Sequence, residues 1–140
     1  MRHIEVAAGL LWRGSLVLCC RRPEGRPQAG FWEFPGGKLK EGENAREALA
    51  RELAEELGIE TGSCLLRQTR HHVYQDINLS VTLHFFDITE FQGEPVSREG
   101  QTIAWVDCRK AADMAFLPAD MELVAHLEPP SASAVSLQRS

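Results

Sequence analysis

The chain has 140 residues, of which 44% are apolar and 25% charged, and its net charge is −5. One globular domain with its own core fits that length and composition. The acidic balance excludes a general nucleic-acid coat and a polybasic membrane binder, while leaving room for an anionic substrate handled through metal ions.

No direct binding of DNA or RNA and no membrane association are therefore expected. The longest uncharged apolar run, residues 6–12, is far short of the ~20 residues that span a bilayer. Glu5 and Arg13 bracket it, and no small-residue cleavage site follows, so no secretory signal is expected. Cys19, Cys20, Cys64 and Cys108 show no C-x-x-C spacing and read as reduced, mostly packed thiols of a cytoplasmic protein.

In chain order, residues 4–12 and 16–20 are apolar runs around Arg13-Gly14-Ser15, which predicts a β-hairpin. Residues 21–30 are rich in Pro, Gly and Arg and read as loop. Phe31-Trp32-Glu33-Phe34 is a short aromatic strand. It is expected to end at Pro35-Gly36-Gly37, which neither continues a strand nor starts a helix cheaply. The clearest helix runs from Ala45 to Leu57. Asn44 is its N-cap, Glu47 completes a capping box, Leu49, Leu53 and Leu57 form one apolar stripe, and Gly58 ends it. Two long strands follow, Cys64–Tyr74 and Leu79–Ile88, turning at residues 76–78. A short strand over 102–106 and a second helix over 118–127 complete a domain spanning residues 1–128. Residues 129–140 contain Pro129-Pro130 and little apolar content, and read as a flexible tail. Strands interleaved with two helices predict an α/β fold with a mixed β-sheet between helices.

The chemistry concentrates in and just before the first helix. Glu52, Glu55 and Glu56 lie at i, i+3 and i+4, on one face, and toward the helix C-terminus. Like charges at that spacing cost a bare helix a few tenths of a kcal/mol per pair, roughly, and the C-terminal end is the wrong one for anions. A bound cation removes that cost. Clustered carboxylates beside a Gly-Gly loop suit a hard, oxygen-seeking ion, Mg²⁺ or Mn²⁺, and hence polyphosphate chemistry. A solvated acidic face is the alternative for three glutamates taken alone. His71 and His72 are adjacent in a strand and point to opposite faces, so they make no zinc pair. His84 reads as packed or groove-lining.

The full string is more specific. Gly37, then Glu43, then Arg51-Glu52-Leu53-Ala54-Glu55-Glu56-Leu57-Gly58-Ile59 matches the Nudix box at every defined position. The chain resembles Nudix hydrolases from about residue 4 to 127. Phe31-Trp32-Glu33-Phe34-Pro35-Gly36-Gly37-Lys38, Arg98-Glu99-Gly100-Gln101 and Leu117-Pro118-Ala119-Asp120 add a likeness to the MutT branch. The resemblance implies an α/β/α sandwich, the Nudix fold. It also implies Mg²⁺-dependent hydrolysis of a nucleoside triphosphate to monophosphate and pyrophosphate, by a monomer or homodimer that sanitises the nucleotide pool and so serves DNA replication and repair.

By the same resemblance, the Gly36 carbonyl and Glu52, Glu55, Glu56 and Glu99 would hold metal. Glu52 would be the general base, with Glu99 able to share that role. Arg51 would pair with the box acids, and Lys38 would touch phosphate. Gly37, Glu43 and Gly58 would be structural, with Gly37 and Gly42 lending the loop backbone freedom. Arg22, Glu33, Phe34 and Asp120 would enclose the base, with Asp120 where MutT-type enzymes carry Asn. An ionised Asp120 accepts both N1–H and N2–H of a guanine edge, whereas a cytosine edge requires it protonated. The expectation is 8-oxo-dGTP, with CTP or a 5-substituted dCTP, or a non-catalytic nucleotide sensor, as alternatives.

Overall fold

The computed structural model describes residues 1–131. The tail expected over 129–140 lies, from residue 132 onward, outside the described residues. The strands are β1 (Arg2–Arg13), β2 (Leu16–Arg21), β3 (Trp32–Glu33), β4 (Gly36–Lys38), β5 (Glu60–Thr61), β6 (Cys64–Tyr74), β7 (Leu79–Ile88), β8 (Phe91–Gln92) and β9 (Thr102–Asp107). The α-helices are α1 (Ala45–Leu57) and α2 (Met121–Ala125).

The main sheet runs β3-β2-β1-β7-β6, with β4 paired to β1 and β9 paired to β2. It is mixed because β1 lies parallel to β7 and antiparallel to β2 and β4. The predicted hairpin is present, with Trp12 opposite Val17 and Gly14 in the left-handed region. Side chains alternate across a strand, so β1 feeds two cores. Ala7 and Leu11 pack with Leu49, Leu53, Leu57 and Phe86 under α1. Ala8, Leu10 and Trp12 pack with Phe85, Phe116, Leu123 and Val124 on the other face. Helices on both faces of one sheet make the expected α/β/α sandwich. No helix among the described residues is long and apolar enough to cross a membrane.

Helix α1 has the predicted bounds. Glu47 N–H donates to Asn44 Oδ1 at 2.9 Å and Asn44 N–H to Glu47 Oε1 at 3.0 Å, closing the capping box. Gly58 caps the other end at φ 69°.

Three expectations change. The stretch Pro35-Gly36-Gly37 does not end the sheet: Gly36 and Gly37 enter β4, opposite Ala8 and Ala7. Gly36 has φ 153°, and a Cβ there would stand 2.0 Å from the Ala7 carbonyl oxygen, so only glycine lets the two backbones approach so closely. The second helix is broken into a 3₁₀ turn over Pro118–Asp120 and the short α2. Just before it, Trp32 N–H donates to Ala115 O at 2.8 Å and Leu117 N–H to Trp32 O at 2.9 Å, so β3 holds the approach at residues 115–117 extended. The sequence pattern also missed the two-stranded β5-β8 sheet and the 3₁₀ segment Cys108–Asp113. The four cysteines are free: Cys19, Cys20 and Cys108 are buried and Cys64 is half-buried.

Candidate active site

The chain passes from β4 through the loop at residues 39–44 into α1, and Arg51 fastens that loop to the helix. Its guanidinium donates to both Glu43 oxygens at 2.7 and 2.9 Å, to Glu52 at 3.0 Å, to Glu55 at 3.4 Å and to the Lys38 carbonyl at 3.1 Å. The Arg51 guanidinium and the Lys40 N–H hold the Glu43 carboxyl down to about 2. Arg51 is pushed up by Glu43 and Glu52. The arginine thus braces the loop.

Beside this brace opens an acidic pocket of about 240 Å³, whose walls include Glu33, Glu52, Glu56, Glu99, Gln101 and Arg26. Glu52 and Glu56 enter it from successive turns of α1. Gly37 lacks a side chain because Glu52 occupies its place: a Cβ would meet the Glu52 carboxyl carbon at 2.4 Å. Close packing rather than backbone freedom therefore explains Gly37, whereas Gly42 has φ 84° as a turn requires. Glu55 is not in the pocket wall; its side chain is 51% exposed, against 19% for Glu52. Glu99 arrives on the loop before β9.

Glu56 is the most perturbed acid of the pocket. Burial pushes it up to about 8, and the charges of Glu52, Glu99 and Glu33 push the same way; the Gly36 N–H at 3.1 Å opposes them. Among the described residues no three Asp, Glu, His or Cys side chains close on a single point as a finished metal cage. The donor set nevertheless fits a hard divalent cation. It is all oxygen, it gathers four carboxylates, and its half-buried member Glu56 has no ion-pair partner among the described residues.

A second pocket of about 450 Å³ adjoins the first and shares Arg22, Glu33, Phe34 and Gly36 with it. Its far wall is mostly apolar, including Ile4, Val6, Leu83 and Leu117, with Asp120 among them. Arg22 donates to Glu33 at 2.9 and 3.1 Å, placing an ion pair at the junction. Phe34 is locked by Phe116, 5.2 Å between ring centroids, and by Phe85 edge-on. Lys38 is exposed and lies on this second pocket rather than among the carboxylates.

Asp120 is 4% exposed. Burial first, then the Glu33 charge, push it up to about 8, against the pull of Arg22. The sequence-based preference for guanine assumed an ionised Asp120. Burial and the nearby acid both favour the proton-bearing form, the opposite of that premise.

Sequence reasoning gave no role to Tyr74, which lines the apolar pocket, or to Arg26 and Gln101 in the acidic one. The Pro/Gly/Arg loop was the only signal for Arg26. His71 and His72 do face opposite ways: His71 meets Thr82 at 2.9 Å, and His72 packs on Tyr74. His84 is held between Thr69 and Glu5.

The NUDIX domain family model matches residues 1–127. A CTP pyrophosphohydrolase from Escherichia coli K12 is 36% identical over 124 residues, covering 89% of this chain and 90% of that protein. A putative 8-oxo-dGTP diphosphatase 2 from Mycobacterium tuberculosis is 40% identical over 124 residues, covering 87% and 86%. The solution structure of the E. coli ORF135 protein is similar at TM-score 0.78 and 32% identity, covering 100% of this chain and 93% of that one. The chain belongs to the Nudix family, and it is a hydrolase.

Proposed function

We propose that this hydrolase cleaves nucleoside triphosphates to the monophosphate and pyrophosphate, with 8-oxo-dGTP as substrate, and that it cleans the precursor pool in the cytoplasm. The observation that carries the reading is the joining of a carboxylate pocket to an apolar pocket that contains the buried Asp120. The first suits the triphosphate and the second the base.

A neutral carboxyl offers one donor and one acceptor. Unmodified guanine presents two acceptors, N7 and O6, on its major-groove edge. The oxidised base replaces the first with N7–H, which gives the acceptor–donor pair that a neutral Asp120 matches. This supports selection of 8-oxo-dGTP over dGTP. The same carboxyl matches N3 and N4–H of cytosine, so CTP or a 5-substituted dCTP is the second reading. Relatives carry both names.

Mg²⁺, with Mn²⁺ as a substitute, would be held by Glu52, Glu56, Glu99 and the Gly36 carbonyl, with Glu55 at the rim, and would supply charge neutralisation to the triphosphate and acidity to the attacking water. Glu52 takes one proton from that water as its oxygen bonds to phosphorus. The anhydride P–O bond breaks and pyrophosphate leaves. Arg51 keeps Glu52 in place, Arg22, Glu33 and Phe34 flank the base, and Lys38, on the apolar pocket rather than among the carboxylates, is left without the phosphate role. An intact general base argues against a sensor that binds without turnover.

The test is kcat/KM for 8-oxo-dGTP, dGTP, CTP and 5-methyl-dCTP in wild type, Asp120→Asn and Asp120→Leu. Asn keeps one donor and one acceptor and should retain selectivity at all pH values. Leu should bring 8-oxo-dGTP and dGTP within about threefold of each other, since a buried polar reader is lost. Selectivity unchanged in Asp120→Leu would place base reading elsewhere.

A further inference from the structure

Glu99 reaches the acidic pocket on a loop whose shape depends on one side chain. Gln101 Oε1 accepts from Glu99 N–H at 3.1 Å, and the single Ser97 hydroxyl proton is shared between that oxygen at 2.9 Å and the Gln101 main-chain carbonyl at 2.5 Å. A main-chain N–H can only donate, so this bond fixes which end of the amide is oxygen. The Gln101 Nε2 end is then turned away, buried and without a hydrogen-bond partner. Buried donors are almost always satisfied. This side chain keeps its two loop bonds and leaves its own donor unmet, in the wall of the acidic pocket.

The loop ends are fixed independently. Arg98 N–H donates to Glu56 O at 3.0 Å and Val96 N–H to Leu57 O at 3.1 Å, docking one end on the carbonyls that terminate α1. At the other end Thr102 pairs with Arg21 in the sheet. Between them Gly100, at φ 82°, makes the bend. Glu99 therefore hangs between two anchors, and Gln101 ties the Glu99 main chain across the turn, which Ser97 Oγ also bridges to the Gln101 carbonyl.

We infer that Gln101 is a positioning residue that orients Glu99 toward Glu52 and Glu56. It acts through Glu99 and touches no reacting atom. The inference rests on the pyrophosphohydrolase reading of this pocket.

The test is a double-mutant cycle. Gln101→Ala should lower kcat about tenfold and leave KM for the triphosphate within about twofold. In a Glu99→Gln background the same change should cost less than about twofold. Ser97→Ala, which removes the hydroxyl shared by Oε1 and the Gln101 carbonyl, should give a smaller loss with the same dependence on Glu99 and serves if Gln101→Ala melts early. A second arm needs no substrate: Mn²⁺ affinity by electron paramagnetic resonance should fall in Gln101→Ala and in Glu99→Gln, and no further in the double variant. Unchanged kcat in Gln101→Ala, or equal losses in both backgrounds, would overturn the role. A wild-type protein inactive on every triphosphate but showing the coupled Mn²⁺ effect would overturn the proposed reaction and leave the Gln101–Glu99 link standing.

Discussion

At Gly37 a missing side chain makes room for a carboxylate. Gly37→Ala should displace Glu52, because the new methyl would stand within 2.4–2.7 Å of its carboxyl atoms. Turnover should then fall more than stability does, which paired kcat and thermal-melt measurements can show. Glu52→Gln keeps an oxygen for Arg51 and removes the base; kcat should drop ~10²–10⁴-fold with the melting temperature nearly unchanged. Near-normal turnover would take Glu52 out of that role. Asp120 gives a prediction on stability. Its folded-state pKa is raised from 3.8 to about 8, so the folded protein binds the extra proton and loses stability as pH rises between those values. Asp120→Asn has no such proton. Its advantage in melting temperature over wild type should be small at pH 4, grow through pH 8 and then level off. A constant difference across that range would contradict a neutral, buried Asp120.

Helix α1 carries both the chemistry and much of one core, and its two faces can be tested separately. Asn44→Ala removes the capping box and should cost ~1 kcal/mol in denaturant unfolding, with the pocket intact. Leu53 is fully buried under the sheet, and Leu53→Ala should cost about 2–5 kcal/mol through the cavity left behind. The helix was legible in the sequence because every signal for it is local: the cap, the box, the leucine spacing and Gly58 lie within a few turns of one another. The elements that escaped share the opposite property. β4 exists because its backbone fits against Ala7 and Ala8, about thirty residues earlier in the chain. β5 pairs with β8 across a similar gap. The segment at residues 118–127 has a helical apolar pattern, yet its first turn is 3₁₀ and only residues 121–125 are α-helical, just after Trp32 pins residues 115–117 extended.

Across the whole molecule, the mixed sheet brings four stretches of chain to one site: the loop after β2, the β3–β4 strip, one face of α1 and the loop before β9. Glu33, Glu52, Glu56 and Glu99 thereby share one pocket, where a bound cation would offset the repulsion between them. Added Mg²⁺ should raise the melting temperature, approaching ~2.7 kcal/mol of stabilisation at a hundredfold excess over its dissociation constant. Chelation should reverse the shift and abolish turnover, and Glu56→Gln should blunt the shift. An unchanged melting curve with metal would deny the pocket its ion.

The amino-acid string by itself determined the family chemistry, because the box residues lie on one loop and one helix whose geometry is set by near neighbours. It also determined the cap, the leucine face and the long strands, all readable from spacing. Only the tertiary structure decided that Glu55 stays at the rim, that Gln101 grips the Glu99 turn, and that Asp120 sits dry enough to keep its proton. Those outcomes depend on which distant segments exclude water from a side chain, and that is a property of packing in three dimensions.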